Sequence, residues 1–398
     1  MSEARTSKPG RGRRTAAAAG WSIDGLSPVR VVRPASAEEM ARTLGEAVSS
    51  GQAVVPVGGG RSLGMGDALE RWDVAIETAG LNRIVEYNSA DLTVTAEAGI
   101  PLERLSEELG RGGQFLPLDP FASPGHTVGG LLASGWSGPL RLGHRHPRDF
   151  LIGLRVALPD GRLVRSGGRV VKNVSGYDLN KLHLSALGAL GVIVEASFKV
   201  FPKPLHEVTL ERRAASTPEI WSEIERALAV KLPPVALELL SPHLESGAAG
   251  GGGWRLLARV AGTRLSVERI ARELGWEEAD AGFWAEHSRR SAGSWARVSV
   301  PRGRLPEVTA HLPEGARWWG SPGVGVAHWI GCADPGQLGR VRSACEEAGG
   351  SLVLLAAPAE VKRSLGAWGR APAGLDLMRA IRDAFDPTRA ISPGRYVA

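Results

Sequence analysis

Cysteine is scarce in this sequence, which has only Cys332 and Cys345 among 398 residues. The two are not spaced like a redox pair or a metal site, so we expect reduced structural thiols and a cytoplasmic location. Long apolar runs are also missing, and none approaches the about 20 residues that a membrane-spanning helix needs. The sequence therefore predicts a soluble chain.

Basic charge is not spread along the chain but concentrated at its start. The net charge is +6, and about four of these charges come from one short group of residues: Arg5, Lys8, Arg11, Arg13, Arg14 and Glu3. The rest lacks the basic stripe with interleaved aromatics that is typical of nucleic-acid binding, so no nucleic-acid partner is expected. No hydrophobic stretch follows Arg13-Arg14, as a signal peptide would require, and residues 1–25 are predicted to be a disordered tail.

Glycine, in contrast, is abundant at 52 residues, and the chain is long enough for two or three domains. Up to residue 205, short strands and helices predict an α+β domain, with a helix after the capping box Ser36–Glu39 and a hairpin turn at Asp160-Gly161. Beyond Pro204, helices alternate with strands as in a ferredoxin-like sandwich. The glycines of "GAAGGGGW" are expected in a flexible loop or hairpin tip, and the sequence shows no internal repeat.

A first glycine-rich run, "VVPVGGGRSLGMGDALE", follows a predicted strand at residues 54–70. It is not an ATP-type phosphate loop, because Gly66 is followed by Asp67 instead of Lys-Ser or Lys-Thr. Nor is it the dinucleotide fingerprint, whose third glycine would fall at Leu63. A turn rich in N–H groups beside Arg61 can still cradle a phosphate or diphosphate. The alternative is a glycine-rich turn without a ligand.

Two further glycine-rich segments accompany this run. One is "FLPLDPFASPGHTVGGLLASGWSGPLRLG" at residues 115–143, and the other is "KNVSGYDLNKLHLSALGALGVIVEASFKVFPKP" at residues 172–204. Glycine and proline together favour ordered loops that let the backbone approach something closely. One extended ligand lying across the domain would account for all three segments.

These motifs, with "RDFLIGLRVALPDGRLVRSGG" and the closing "MRAIRDAFDPTRAISPGRY", resemble the FAD-binding family of the vanillyl-alcohol oxidase and p-cresol methylhydroxylase (PCMH) type. Within that family they are similar to the FAD-binding E subunits of bacterial glycolate oxidase. The resemblance implies an α+β fold with a two-subdomain PCMH-type FAD-binding domain at residues 26–205. It further implies a smaller ferredoxin-like cap domain at residues 206–380 and a C-terminal segment, 381–398, that returns to the FAD domain.

The resemblance also implies which residues contact FAD, the first loop holding the diphosphate through backbone N–H groups. The implied residues are Val57, Gly58, Gly59, Gly60, Arg61, Ser62 and Leu63 in the first loop; Pro117, Leu118, Asp119, Thr127, Val128, Gly129, Gly130, Ser134, Ser137 and Gly138 in the second; and Gly188, Gly191 and Ile193 in the third. For Ile193 a plain core position in a strand is the alternative. Members that bind FAD covalently often have histidine where this chain has Arg61, so non-covalent FAD is expected. His126 is the one residue that could change this.

Oxidation of a 2-hydroxy acid needs a cation for the carboxylate and a base or hydrogen-bond partner for the hydroxyl group. Four clustered candidates follow the second loop: Arg141, His144, His146 and Arg148. The alternative is surface charge on a loop. The histidines of the second domain lack metal-ligand spacing, so no metal is expected: His243, His287, His311 and His328.

Two functions are consistent with these residues. In the first, the chain is a flavoenzyme subunit that passes electrons from glycolate or a related 2-hydroxy acid to its flavin. In the second, it is a non-catalytic FAD-binding scaffold that supports a catalytic sister flavoprotein and an iron–sulfur subunit. The resemblance implies both partner subunits in either case, and any membrane association is expected to be peripheral, through those partners.

Overall fold

The computed structural model describes residues 20–169, 178–246 and 252–398. The expected basic tail therefore lies outside the described residues except for positions 20–25. The same holds for part of the third glycine-rich segment, at 170–177, and for most of the loop expected in "GAAGGGGW", at 247–251.

A small parallel sheet opens the first domain. Its elements are β1 (Arg30–Val32), α1 (Ala37–Ser49), β2 (Val54–Val57) and β3 (Val74–Glu77), with strand order β1-β3-β2. The expected helix cap is confirmed, because Ser36 Oγ accepts a hydrogen bond from the Glu39 N–H at 3.1 Å. Met40 and Leu44 of α1 are fully buried against the sheet. The glycine-rich run starts where β2 ends.

An antiparallel sheet forms the second part of this domain, with strand order β4-β5-β9-β7-β8. The elements of this part are β4 (Ile84–Asn88), β5 (Thr93–Glu97), α2 (Leu102–Arg111), β6 (Gln114–Phe115), α3 (Val128–Ser134), α4 (Arg141–His144), β7 (Leu151–Ala157), β8 (Leu163–Gly167), α5 (Asn180–His183), β9 (Val192–Lys199) and β10 (Phe201–Pro202). Strands β6 and β10 pair separately. The two sheets are the two subdomains expected from the sequence.

The predicted hairpin between β7 and β8 is confirmed, but its turn is longer than two residues. Leu158 closes the loop by donating its N–H to the Arg162 carbonyl at 2.8 Å, and Gly161 has φ +85°. Pro159 explains the difference, since a two-residue turn at Asp160-Gly161 would pair residue 159 with Arg162, and proline has no N–H to donate to the Arg162 carbonyl, so Leu158 donates instead.

An eight-stranded antiparallel sheet dominates the second domain. Its elements are β11 (His206–Ala214), α6 (Thr217–Ala229), β12 (Ala236–Leu240), α7 (His243–Ser246), β13 (Trp254–Gly262), α8 (Arg264–Leu274), β14 (Glu277–Glu278), α9 (Phe283–Ser288), β15 (Trp295–Ser299), α10 (Leu305–Thr309), β16 (Arg317–Ser321), β17 (Val326–Ile330), α11 (Pro335–Glu347), β18 (Ser351–Ala356) and α12 (Ala359–Leu365). The strand order is β14-β11-β13-β12-β16-β17-β15-β18.

This sheet consists of two ferredoxin-like units joined edge to edge. Strands β11 to β14 with α6 and α8 form one βαββαβ unit, and strands β15 to β18 with α10 and α11 form the other. Leu239 pairs with Gly320 and Leu240 with Trp319 where the units meet. The ferredoxin-like prediction is thus confirmed, and the topology repeats although the sequence shows no repeat.

The two faces of the large sheet serve different purposes. Helices α6, α8, α10 and α11 cover one face, with Ile220, Val267 and Leu338 in a shared apolar core. The opposite face packs on the first domain, where Trp295 and Trp319 join one core with residues of α3. The domains therefore meet through buried apolar side chains, which fixes the position of the large sheet above the glycine-rich loops.

The chain ends beside the first sheet. After α13 (Leu375–Phe385), Ile391 pairs in parallel with Val54 of β2. The Ser392 N–H donates to the Val54 carbonyl at 2.8 Å. This extension of the small sheet brings the last residues to the glycine-rich run.

Candidate functional site

The first glycine-rich loop forms one wall of a cleft of about 460 Å³. Among the described residues, no acceptor receives a hydrogen bond from the N–H groups of Gly59, Gly60, Arg61 or Ser62. Gly60 has φ +77°. Successive N–H groups in a turn with positive φ form a concave anion site. The loop therefore offers four adjacent donors to a negatively charged ligand.

Protein neighbours explain why these positions are glycines. A Cβ on Gly58 would overlap the hydroxyl of Thr127, and one on Gly59 would overlap the carbonyl oxygen of Gly125. A Cβ on Gly60 would lie 2.6 Å from the Trp21 ring. The missing side chains thus let the loop pack against the second glycine-rich segment, while its N–H groups stay available. The sequence predicted these glycines because the backbone approaches a ligand closely. Contact between the two glycine-rich segments is a second reason for them.

The second glycine-rich segment supplies the opposite wall. Thr127 caps α3, its hydroxyl accepting from the Gly130 N–H at 3.3 Å, and both residues line the cleft with Ser134. His126 also lines it and is buried, with Nε2 at 2.7 Å from the Phe121 carbonyl. Burial lowers the pKa of His126, and the Arg61 charge lowers it further. His126 is therefore a neutral side chain that donates Nε2–H to the protein.

Two arginines add positive charge to the cleft. Arg61 is exposed beside Gly125 and forms no ion pair within the described part of the chain. Arg395, from the end of the chain, also lines the cleft and is 3% exposed. Backbone N–H donors combined with guanidinium groups are the donor set that phosphates prefer. The residues present fit a diphosphate.

Some of the sequence-predicted residues lie behind this cleft instead of in it. Val57, Val128 and Ile193 are buried in apolar cores. Gly129 packs on Ala98, and Gly191 packs on the Ala157 carbonyl, where a Cβ would lie 2.7 Å away in each case. For Ile193 the alternative of a core strand position agrees with its burial in β9. These residues therefore pack behind the loops and support them, and they do not line the cleft.

The "PLDP" segment also lies apart from the cleft. Pro117 is buried, whereas Leu118 and Asp119 line a separate pocket between α2 and α9. Asp119 accepts from the Leu140 N–H at 2.7 Å, and burial raises the pKa of its carboxyl group to about 7. Gly138 packs on the Asp119 backbone. Together with Ser137, these assignments stay predictions for a part of FAD beyond the cleft.

The third segment meets the cleft through a neighbour of the predicted residue. Gly188, with φ +76°, lies against Pro56, but Leu187 and Pro56 are the residues that line the cleft. Reasoning from glycine alone missed these two and also Ala133, Trp21 and Arg395. The position of Leu187 one residue before Gly188 was a usable signal. Arg395 had none, because its contact spans more than 300 residues of sequence.

A basic pocket lies next to the cleft. It is lined by Arg141, Arg145, His146, Arg148, Asp149, Lys181, Leu184 and Ser185. Ser185 of this pocket and Leu187 of the cleft are two residues apart on one turn, so at most about 7 Å of backbone separates these two lining residues. Three of the four sequence candidates for substrate binding are therefore together here. The fourth, His144, instead packs its ring against Phe115 at 5.3 Å and Phe201 at 5.6 Å.

Arg297 of β15 extends the basic pocket from the second domain. Its positive charge contributes to lowering the pKa of His146 to about 4, after burial and the Arg141 charge. Burial, with the Arg141 charge nearby, also lowers the pKa of Arg297 itself. Its Nε is buried and has no hydrogen-bond partner, and no described acid pairs with Arg297 or Arg141. Arg141 and Arg297 thus lie close together at the domain junction without a salt bridge, and the charge of Asp149 in the same pocket acts on Arg141.

An aromatic cluster fills the space between the first glycine loop and the large sheet. Trp136 donates Nε1–H to Ser62 Oγ at 2.9 Å and lies 5.1 Å from Trp295 between ring centroids. Trp295 in turn donates to His328 Nδ1 at 3.0 Å, and Trp319 stacks on His328. All these rings are at most 4% exposed. Side chains, not solvent, occupy this part of the interface.

Comparison with known proteins identifies the class that this fold and cleft define. A family model described as "FAD binding domain" matches residues 28–167. Glycolate oxidase subunit GlcE of Escherichia coli is 32% identical over 326 residues, which cover 79% of this chain and 85% of that protein. The chain belongs to the family of FAD-binding proteins of the PCMH type. It is an FAD-dependent oxidoreductase, as the sequence predicted.

Other comparisons cover nearly the full length. Glycolate oxidase subunit GlcD of Bacillus subtilis is 25% identical over 93% of this chain and 89% of its own length. A solved structure of alkyldihydroxyacetonephosphate synthase superposes with a TM-score of 0.66 at 17% identity, covering 92% of this chain and 77% of that one. At this identity the structural match shows the shared fold.

Within the part of the chain that the structure describes, no helix is long and apolar enough to cross a membrane. No group of three or more His, Cys, Asp or Glu side chains in the same residues is arranged to hold a metal ion.

Proposed function

We propose that this chain is the FAD-binding subunit of a complex that oxidises a 2-hydroxy acid such as glycolate. Support comes from the relatives, since GlcE and GlcD are named as subunits of glycolate oxidase and are matched over most of their lengths. The proposed partners are a sister FAD subunit and an iron–sulfur subunit. We place the complex in the cytoplasm, in keeping with two buried free thiols, Cys332 and Cys345.

The observation that carries the proposal is the unpaired Arg141–Arg297 pair beside the FAD cleft. Both side chains are half-buried, and two like charges held close together without a salt bridge to a described acid repel each other. A carboxylate bound between them would offset this repulsion and could accept hydrogen bonds from both guanidinium groups. The pocket would thus select an acid substrate by its carboxylate group.

His146 has a defined role in this pocket. Its Nδ1 accepts the Arg148 N–H at 3.3 Å, so the neutral ring carries its proton on Nε2. At neutral pH the ring is uncharged, because its pKa is lowered to about 4. His146 is therefore a hydrogen-bond donor that can orient a substrate oxygen, and it is not the base for the hydroxyl proton.

FAD supplies hydride acceptance when it is bound in this family of oxidoreductases. The chain's own residues would hold the diphosphate at Gly59–Ser62 and Arg61, and the substrate carboxylate at Arg141 and Arg297. The turn from Ser185 to Leu187 borders both sites, so one extended cofactor could reach from the first site towards the second. The aromatic cluster excludes water from the side of the large sheet.

We further propose that FAD is held without a covalent bond. Guanidinium is not a nucleophile at accessible pH, which removes Arg61 as an attachment point. His126 has its Nε2 directed to the Phe121 carbonyl, leaving only Nδ1. Acid precipitation should release the flavin into the supernatant, whereas a pellet that remains yellow and fluoresces on a denaturing gel would contradict this.

A non-catalytic FAD-binding subunit is the second candidate, and the aromatic cluster favours it. Trp295, Trp319 and His328 close the face of the large sheet where a substrate could otherwise enter. A substrate would then have to reach the flavin through the basic pocket alone. If that route is blocked in the isolated chain, catalysis belongs to the sister subunit.

Anaerobic mixing of the FAD-loaded isolated chain with glycolate separates the two candidates. The catalytic proposal predicts bleaching of the flavin absorption band, because hydride transfer from C2 of the acid reduces the flavin. Dithionite added afterwards is the control that the flavin is reducible. A band that dithionite bleaches but glycolate, D-lactate and D-2-hydroxyglutarate leave unchanged would favour the non-catalytic role.

A further inference from the structure

Arg395 holds the far end of the first glycine-rich loop. Its Nε donates to the Met65 carbonyl at 3.2 Å, and its Nη2 donates to the carbonyls of Met65, Leu63 and Ser62 at 2.7, 2.9 and 3.3 Å. Three carbonyls of one turn are thus bound by one side chain that comes from the opposite end of the chain. No other arginine in the described residues binds this turn.

The turn is the direct continuation of the four free N–H groups. β2 anchors the loop at Val57, and the Ser62–Met65 turn anchors it after Ser62. Between these anchors, the segment Gly58–Arg61 has no described backbone hydrogen bond from its N–H groups after Gly58. The direction of the free N–H groups therefore depends on how firmly the two ends are held.

Arg395 forms no salt bridge with an acid among the described residues, and the acid whose charge acts on it is Asp24. Asp24 is already paired with the buried Lys362 at 2.8 Å. Burial lowers the pKa of Arg395 to about 10, so the guanidinium still carries its charge at neutral pH. A buried cation that lines the cleft and shares Asp24 with Lys362 favours an anion in the cleft.

We propose that Arg395 is a positioning residue for the FAD diphosphate, which sets the first glycine-rich loop in its donor conformation and adds positive charge to the cleft. The C-terminal segment is then part of the cofactor site and not only a strand that completes the small sheet. This inference rests on FAD binding by the family and is independent of the proposed substrate.

The test is the FAD dissociation constant of the full-length apo chain, measured by flavin fluorescence. Arg395→Met removes hydrogen bonds that a charged group makes, and we expect FAD to bind about 10- to 100-fold more weakly. Arg382→Met is the matched control. Arg382 is equally buried and also holds the C-terminal segment, through the carbonyls of Ile391 and Ala398, but it does not line the cleft. Its FAD affinity should stay within about threefold of wild type.

Two further measurements keep the test decisive if Arg395→Met folds poorly. Arg395→Lys keeps the charge but not the planar fork, and its affinity should fall between those of the methionine variant and wild type. ADP, which carries a diphosphate without the flavin ring, should lose competitive affinity by a factor similar to that of FAD. Equal losses in Arg395→Met and Arg382→Met, or unchanged ADP binding in Arg395→Met, would overturn the proposal.

Discussion

The glycine cleft and the basic pocket border the same turn, in which Leu187 lines the cleft and Ser185 the pocket, yet they attract anions by different means. The cleft uses backbone N–H groups whose positions are set by loop packing. The basic pocket uses the side chains of Arg141 and Arg297, which have no described partner. Donors whose positions are fixed before binding are suited to a cofactor that stays bound. Side-chain charges that become exposed again after each turnover are suited to a substrate that must leave.

The largest effect is expected where the cleft depends on close packing of two backbones. In Gly59→Ala the new Cβ would overlap the carbonyl group of Gly125. This group belongs to the main chain, so it cannot rotate away as a flexible side chain could. We expect FAD affinity to fall by about 100-fold or more. Flavin content of the purified protein measures this directly.

A matched glycine keeps this prediction specific. Gly303 has no described atom within 4 Å of a Cβ and no positive φ, so Gly303→Ala should retain FAD like wild type. Purified Gly59→Ala with full flavin content would show that the two glycine loops do not form the diphosphate site together.

The second effect concerns the basic pocket, where one substitution should raise the unfolding free energy and weaken the use of glycolate. Arg297→Met removes a half-buried charge that has no described salt bridge and lies near Arg141, so the apo chain should gain up to about 1 kcal/mol of unfolding free energy. Flavin reduction by glycolate should need about 10- to 100-fold more glycolate, because one carboxylate partner is lost. Denaturant unfolding and anaerobic stopped-flow measure the two quantities.

Arg304→Met is the control for removal of an arginine. Arg304 is exposed and paired with Glu307 on the same short helical segment, so its loss should change stability by no more than about 0.5 kcal/mol and leave glycolate dependence unchanged. A destabilised Arg297→Met would mean that Arg297 has a partner in solution, and the argument for a carboxylate there would fail.

The third effect changes stability alone and lies in the interface that joins both sites to the large sheet. Glu238 is fully buried, bonded to Ser321 Oγ and at 3.0 Å from His287 Nε2, and burial raises its pKa to about 8. Its folded pKa is above its unfolded value, so its stabilising contribution is complete at low pH and is lost as pH rises towards about 8. His287 and His328, with lowered pKa values, are neutral in the folded chain, whereas in the unfolded chain they are half protonated at about pH 6.5 and become neutral above about pH 7.5.

Glu238→Gln stays neutral throughout, whereas the histidines and Asp119, whose pKa is raised to about 7, titrate in variant and wild type alike. Between about pH 6.5 and about pH 8, the unfolding free energy of the wild type should therefore fall relative to that of Glu238→Gln, by up to about 1.4 kcal/mol per pH unit. Parallel slopes for variant and wild type would mean that Glu238 is ionised in the folded chain.

How far the sequence predicted this molecule depends on the range of the contacts. The helix cap at Ser36, the β7–β8 hairpin and the glycine loops follow from local patterns, and each is present. The motif resemblance led to FAD and to Thr127, Gly130 and Ser134 in the cleft. Local chemistry and family motifs were sufficient for these because their main determinants lie within a few residues.

Long-range packing was beyond that reach. Arg395 and Arg297 come from distant segments, and only the fold shows that one binds the Ser62–Met65 turn and the other lies near Arg141. The repeated ferredoxin-like topology was hidden because α6 has 13 residues and α10 only five.

The division between cofactor cleft and substrate pocket is tested most directly by measuring the FAD dissociation constants of Gly59→Ala and Arg297→Met beside the wild-type apo chain. The account predicts that Gly59→Ala binds FAD about 100-fold more weakly, whereas Arg297→Met stays within about threefold of wild type. A similar loss of FAD affinity in both variants would contradict it, because the basic pocket would then be part of the FAD site instead of a separate site for the acid.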